Sequence, residues 1–88
     1  MYTADDIRSQ IKQSISTVTG IEAGDIADNA AYREDLGLDS LSILEVAINV
    51  EFAYKLEVPE EELKDIRTID DTVGVIQRHL EARQVAAA

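Results

Sequence analysis

Leu36-Gly37-Leu38-Asp39-Ser40-Leu41 marks the place where a short turn gives way to a long apolar helix. Asp39 has the side chain of a good N-cap, with an oxygen able to accept a bond from the first free amides. The helix is expected to run from about Ser40 to Leu56. Val58-Pro59 closes the segment, because a residue before proline disfavours helical geometry. This one element fixes the fold class, since everything around it also reads as helix or loop.

Upstream, Thr3 with Asp6 three residues later resembles a capping box. Ile7, Ile11, Ile15 and Val18 follow at helical spacing, and Gly20 stops that helix. Residues from about Gly20 to Asp39 have weak periodicity and several turn formers (Gly24, Asp25, Asp28, Asn29). Ile21, Ile26, Tyr32 and Leu36 are placed to pin this long loop on the core, and long loops in small domains are often functional. Downstream, Pro59 and Glu60-Glu61-Glu62 suit the start of a short third helix anchored by Leu63 and Ile66. Thr68 with Asp71 starts a fourth, whose inner stripe is Ile69, Val73, Ile76 and Leu80. The expected fold is all-α: a small four-helix bundle with a long loop between helices 1 and 2 and a short third helix. One domain spans residues 1–88, with its core over about 3–82 and a frayed tail from Val85.

The second helix has two apolar faces. At about 100° per residue, Ile43, Val46, Ala47, Val50 and Tyr54 share one side, enough for a core. Leu41, Leu44, Ile48 and Phe52 lie roughly opposite. Leu44 and some neighbours can turn inward against the loop, as isolated apolar residues at a surface are ordinary. A run of three or four points instead to a docking surface. Glu45 and Glu51 flank it, so an apolar strip with acidic edges extends from Ser40.

The chain has eighteen acids against eight bases, a formal charge of −10. Such a charge opposes binding to nucleic acid or to anionic lipid surfaces. From Arg33 to Asp70 there are eleven acids and four bases, so the charge is concentrated around Ser40. That placement favours steering toward basic patches on partner proteins over solubility alone. There is no cysteine, hence no disulfide, no thiolate metal site and no thiol of the chain's own. No apolar run approaches the roughly 18 residues needed to cross a bilayer, and no signal peptide is evident. A soluble, free-standing, monomeric cytoplasmic protein is the expectation.

Catalysis by Ser40 would need a base and an orienting group. The single histidine, His79, reads as a side chain complementing the end of the fourth helix. The Glu60-Glu61-Glu62 run lacks the spacing of a calcium loop, and no phosphate-cradling glycine loop is present. No catalytic residue and no metal ligand is assigned. A serine at a helix start is common for local reasons alone. A phosphodiester on its oxygen would also suit that place, near free amides and the positive end of the helix dipole.

Asp35-Leu36-Gly37-Leu38-Asp39-Ser40-Leu41 resembles the phosphopantetheine attachment motif of acyl carrier proteins. The resemblance covers nearly the whole chain. Glu45, Glu51, Val58-Pro59, the acidic run from Glu60, Ile66 and Thr68 fall at family-like spacing, and Tyr32 and Tyr54 stand where the family often has an aromatic residue. It implies that a phosphopantetheinyl transferase moves 4′-phosphopantetheine from coenzyme A onto Ser40. The arm's thiol, absent from the chain itself, then holds acyl groups as thioesters, and the bundle shelters them in a cleft between helices. It implies contacts from Asp39 and Leu41 to the transferase, with Asp35 on the approach loop. Glu45 and Glu51 pair with basic residues of an acyl-loading enzyme, ketosynthase or acyltransferase. Ile48 and Phe52 complete the recognition face.

Two departures stand out. Ser42 occupies a place where fatty-acid carriers usually have an acid, and Phe52 interrupts their acidic stripe. Both make the face more apolar, which favours a specialised polyketide or lipid pathway over general fatty-acid synthesis. A peptidyl carrier is disfavoured by Leu38 and by the acidity. An unmodified carrier-like interaction module is opposed by the intact Ser40.

Overall fold

Thr3 and Asp6 cap each other's backbone amides, each at 3.1 Å, and so begin the first helix, α1 (Ala4–Thr19). The computed structural model describes residues 3–87, with side chains described to Arg83. Gly20, at φ 81°, ends α1 in the left-handed conformation that only glycine adopts without strain. The loop then makes a single 3-10 turn at Ala23–Asp25. Asp39 caps α2 (Ser40–Tyr54), four residues from Glu60 form α3 (Glu60–Leu63), and α4 runs Ile69–Ala87. Among the described residues there is no strand, only an isolated bridge between Ala31 and Thr68.

The apolar stripes converge on one core. Ile7, Ile11 and Ile15 of α1 are fully buried, and α1 packs against both α2 and α4. Ile43, Val46, Ala47, Val50 and Tyr54 face inward from α2, as do Ile69, Val73, Ile76 and Leu80 from α4. The long loop is tied down by Ile26 and Tyr32, with Ile21 and Leu36 partly buried beside them. Tyr32 is completely buried, and its hydroxyl shares a 2.5 Å hydrogen bond with Thr72 Oγ1. Backbone bonds Tyr32 N to Arg67 O (2.9 Å) and Ile69 N to Ala30 O (3.1 Å) strap the loop to the start of α4. A propensity-based reading treats such a segment as coil, so this strap is visible only in three dimensions.

Two boundaries and one side chain differ from expectation. The second helix stops at Tyr54, not Leu56, because Lys55 takes φ 55° and its amide turns back to the Glu51 and Phe52 carbonyls. The Leu56 amide also bonds to Glu51 O at 2.9 Å, so a left-handed cap and not Pro59 ends the helix. His79 is not near a helix end, since α4 continues to Ala87. Its Nε2 lies 3.0 Å from Glu62 Oε2, joining α4 to α3. The tail expected to fray from Val85 has helical backbone through Ala87, and Ala88 lies outside the described residues.

Candidate functional site

Ser40 opens α2 with its side chain exposed. Two local devices hold it there. Gly37, at φ 67°, turns the chain just before the helix, while Leu38 is buried and its amide bonds to Tyr32 O at 2.9 Å. Asp39 then accepts a 2.8 Å bond from the Ser42 amide. That bond, with a smaller contribution from the nearby Arg33 charge, holds the Asp39 carboxyl below the ordinary carboxylate range. Asp39 is therefore an anion beside Ser40 at neutral pH. Arg33 Nη2 donates a hydrogen bond to Ser40 Oγ.

Ser40 borders a groove of about 500 Å³ walled by α2, α3 and the link to α4. Ile43 and Ile66 are buried within it and Leu44 and Leu63 half-buried, giving an apolar floor. Arg33, Glu34, Glu60, Lys64 and Arg67 are exposed around it. Leu44 has thus turned into the groove and leaves the outer face. Leu41, Ile48 and Phe52 remain outside, at 64%, 53% and 85% exposure. Phe52 is the most exposed of the three.

The remaining predicted residues divide. Glu45 is exposed on the strip's edge. Glu51 is half-buried, and its Oε2 accepts the Val58 amide at 3.1 Å, so this carboxylate also fastens the α2–α3 turn. Asp35 accepts the Ala31 amide at 2.8 Å and shapes the approach loop. The sequence reading missed Arg33, Lys64 and Arg67, which counted there only as offsets to the acidic charge. Their distance in sequence hides that one groove gathers all three.

The first amides of α2 are less free than a bare helix start implies. Ser42 N is taken by the Asp39 side chain, which leaves the Ser40 and Leu41 amides open ahead of the first helical bond from Ile43 N to Asp39 O (3.0 Å). Among the described residues Ser40 has no histidine near it, since His79 faces Glu62, and its hydroxyl has no hydrogen bond to a carboxylate. The site offers an accessible hydroxyl, a cation against it and an adjoining groove. It suits a group attached through a phosphodiester, whose charge Arg33 can meet and whose uncharged length the groove can receive.

Residues 9–76 match the family described as "Phosphopantetheine attachment site". The chain is 37% identical over 86 residues to an acyl carrier protein of Rhodococcus erythropolis, covering 98% of this chain and 93% of that one. It is 36% identical over 86 residues to the meromycolate extension acyl carrier protein of Mycolicibacterium smegmatis, covering 98% and 87% of the two chains. It is 38% identical over 85 residues to the meromycolate extension acyl carrier protein of Mycobacterium bovis, covering 97% and 74%. The chain belongs to the acyl carrier protein family, built on the phosphopantetheine attachment domain. It is a carrier and not a catalyst, and its prosthetic group is covalently attached 4′-phosphopantetheine. No helix among the described residues is long and apolar enough to cross a membrane.

Proposed function

We propose that Ser40 is the attachment point, that a phosphopantetheinyl transferase loads it, and that the carrier serves specialised lipid assembly. The observation that supports this most directly is the exposed Ser40 hydroxyl at the start of α2, against Arg33 and at the mouth of the groove. Loading forms one bond from Ser40 Oγ to phosphorus as the pyrophosphate of coenzyme A breaks. The hydroxyl proton passes to a base of the transferase, and adenosine bisphosphate leaves. Once attached, the group supplies the thiol that the chain lacks and so allows acyl groups to be held as thioesters. Ser40 anchors that group, Asp39 and Gly37 hold the anchor's orientation, and Ile43, Leu44, Leu63 and Ile66 offer apolar cover.

The docking face in this reading is the strip of Leu41, Ile48 and Phe52, edged by Asp35, Asp39, Glu45 and the outer side of Glu51. Its partners are the transferase, an acyl-loading enzyme and a ketosynthase or acyltransferase with basic patches. The setting is the cytoplasm, where coenzyme A reaches the transferase. The chain acts as one carrier domain. A single continuous core and a radius of gyration of 12.4 Å support that, the latter against about 12 Å for one compact domain of this length. The lipid pathway is supported by the relatives named for meromycolate extension and by the apolar character of Phe52.

Intact mass after incubation with coenzyme A and a broad-specificity transferase tests the attachment. One phosphopantetheine is expected on the wild-type chain and none on Ser40→Ala; an unchanged wild-type mass refutes the assignment. For the pathway, ketosynthases of general and of long-chain lipid synthesis are compared on the loaded carrier. Efficient transfer by the general enzyme would remove the specialised reading in favour of ordinary fatty-acid supply.

A further inference from the structure

We infer that Arg33 is a positioning residue for the prosthetic arm: its guanidinium pairs with the phosphodiester on Ser40 and turns the arm into the groove between α2 and α3. This rests on Ser40 being the attachment point and adds how the attached group is held.

The first support is proximity. Arg33 Nη2 already donates to Ser40 Oγ, the oxygen that becomes an ester oxygen on loading. The phosphodiester's free oxygens are then within one bond's reach of the guanidinium, which matches phosphate geometry better than an ammonium does.

The second support is the distribution of cations. Arg8, Lys12 and Arg78 pair with Asp70, Asp28 and Glu62 respectively. The other five bases make no ion pair among the described residues: Arg83 bonds to the Tyr54 and Lys55 carbonyls, Lys55 caps α2, and Arg33, Lys64 and Arg67 remain. All three line the groove beside Ser40. The acids lining it are Glu34 and Glu60, so this groove has a net charge of +1 while the whole chain has −10. A phosphodiester carries one negative charge.

The third support is the negative charge that stands at the helix start. Of the amides ahead of the first helical bond, Ser42 N is taken by the Asp39 side chain, and those of Ser40 and Leu41 stay open. Asp39 is ionised and adjacent, so it repels a phosphodiester on Ser40. Arg33 offsets that repulsion and sets a direction. The groove's apolar floor and polar edge suit the uncharged pantetheine, and its volume of about 500 Å³ falls within the range of small-molecule sites.

The test uses the loaded protein as wild type, Arg33→Gln and Arg33→Lys, with intact mass showing equal loading and thermal melting showing equal folding. Two readouts follow: the phosphorus NMR resonance, and NOEs from an isotope-labelled arm to the methyls of Leu44, Leu63 and Ile66. In wild type the arm shows these NOEs at low salt. Arg33→Gln is expected to move the phosphorus resonance and weaken the NOEs about two- to fivefold, the scale of an exposed ion pair. Arg33→Lys restores part of both, and high salt reproduces the Gln result in wild type. Fully loaded Arg33→Gln that matches wild type in both readouts overturns the Arg33 role and leaves Ser40 untouched. A wild-type chain that gains no mass overturns the attachment reading, and this inference with it.

Discussion

Single side chains decide how Ser40 is presented. Asp39 holds the helix start through a carboxyl kept ionised by its bond from Ser42, and Asp6 and Asp28 are likewise held below the usual range, by Thr3 and Lys12. A depressed folded-state value means the unfolded chain takes up protons first as pH falls. Their stabilisation is therefore present above the ordinary carboxylate value of 3.8 and lost as pH drops through the folded values. Asp39→Ala is expected to lower the melting temperature at neutral pH and to flatten the acid limb of a stability curve. An unchanged limb would mean the cap does not form. Tyr32 works in the opposite direction. Burial pushes its phenol up to about 12, against the bond from Thr72. From pH 10 upward an unfolded chain loses that proton while the folded one keeps it, so stability falls as pH rises toward 12. An alkaline absorbance titration should find Tyr32 ionising late, together with unfolding; normal ionisation in a folded protein would contradict its burial. Lys55, the one non-glycine residue with positive φ among those described, sits where glycine is easiest. Lys55→Gly should raise stability by about 0.5–1 kcal/mol, measured by urea denaturation, as relief of left-handed strain outweighs added chain entropy.

At the scale of elements, the helix stripes carry the core, and the short third helix depends on its side-chain ties. Ile11→Ala or Ile76→Ala removes a side chain with almost no solvent exposure and should cost about 2–4 kcal/mol in denaturant unfolding. Phe52→Ala, at 85% exposure, should leave stability nearly unchanged and weaken binding to partner enzymes. A large stability loss there would place the ring in the core. Four-residue α3 has few means of its own to persist. Glu62 bonds to Arg78 (2.9 Å) and His79 (3.0 Å), while Ile66 is buried beneath. Glu62→Ala is expected to speed amide exchange through residues 60–65 while α1 exchange stays as it was. Because α3 walls the groove, this variant should also loosen the groove beside Ser40.

For the whole molecule, charge governs encounters more than folding. The chain has a net charge of −10 and exposed Glu45 at the edge of its apolar strip, so association with a basic partner should slow as salt rises over the Debye range. Glu45→Lys should reduce the association rate with little change in melting temperature, since its side chain is exposed and single surface charges contribute little to stability. Equal rates for the two proteins at low salt would remove Glu45 from the docking face.

Much of this was legible along the chain because it is local. The Thr3–Asp6 box, the Gly20 stop, the Asp39 cap and the 3.6-residue stripes each depend on neighbours within one or two turns, so residue order alone determined four helices and an exposed serine at the head of the second. The end of α2 is not legible in the sequence because Lys55 adopts a backbone state that its side chain does not advertise. The place of His79 is hidden in the sequence because its partner, Glu62, is seventeen residues away and on another helix. Tertiary packing alone decided that Leu44 turns inward while Leu41, Ile48 and Phe52 stay out, and that Arg33, Lys64 and Arg67 meet beside Ser40. Hydrogen bonds within a turn are fixed by spacing, whereas a groove exists only once three separate segments have been folded against a common core.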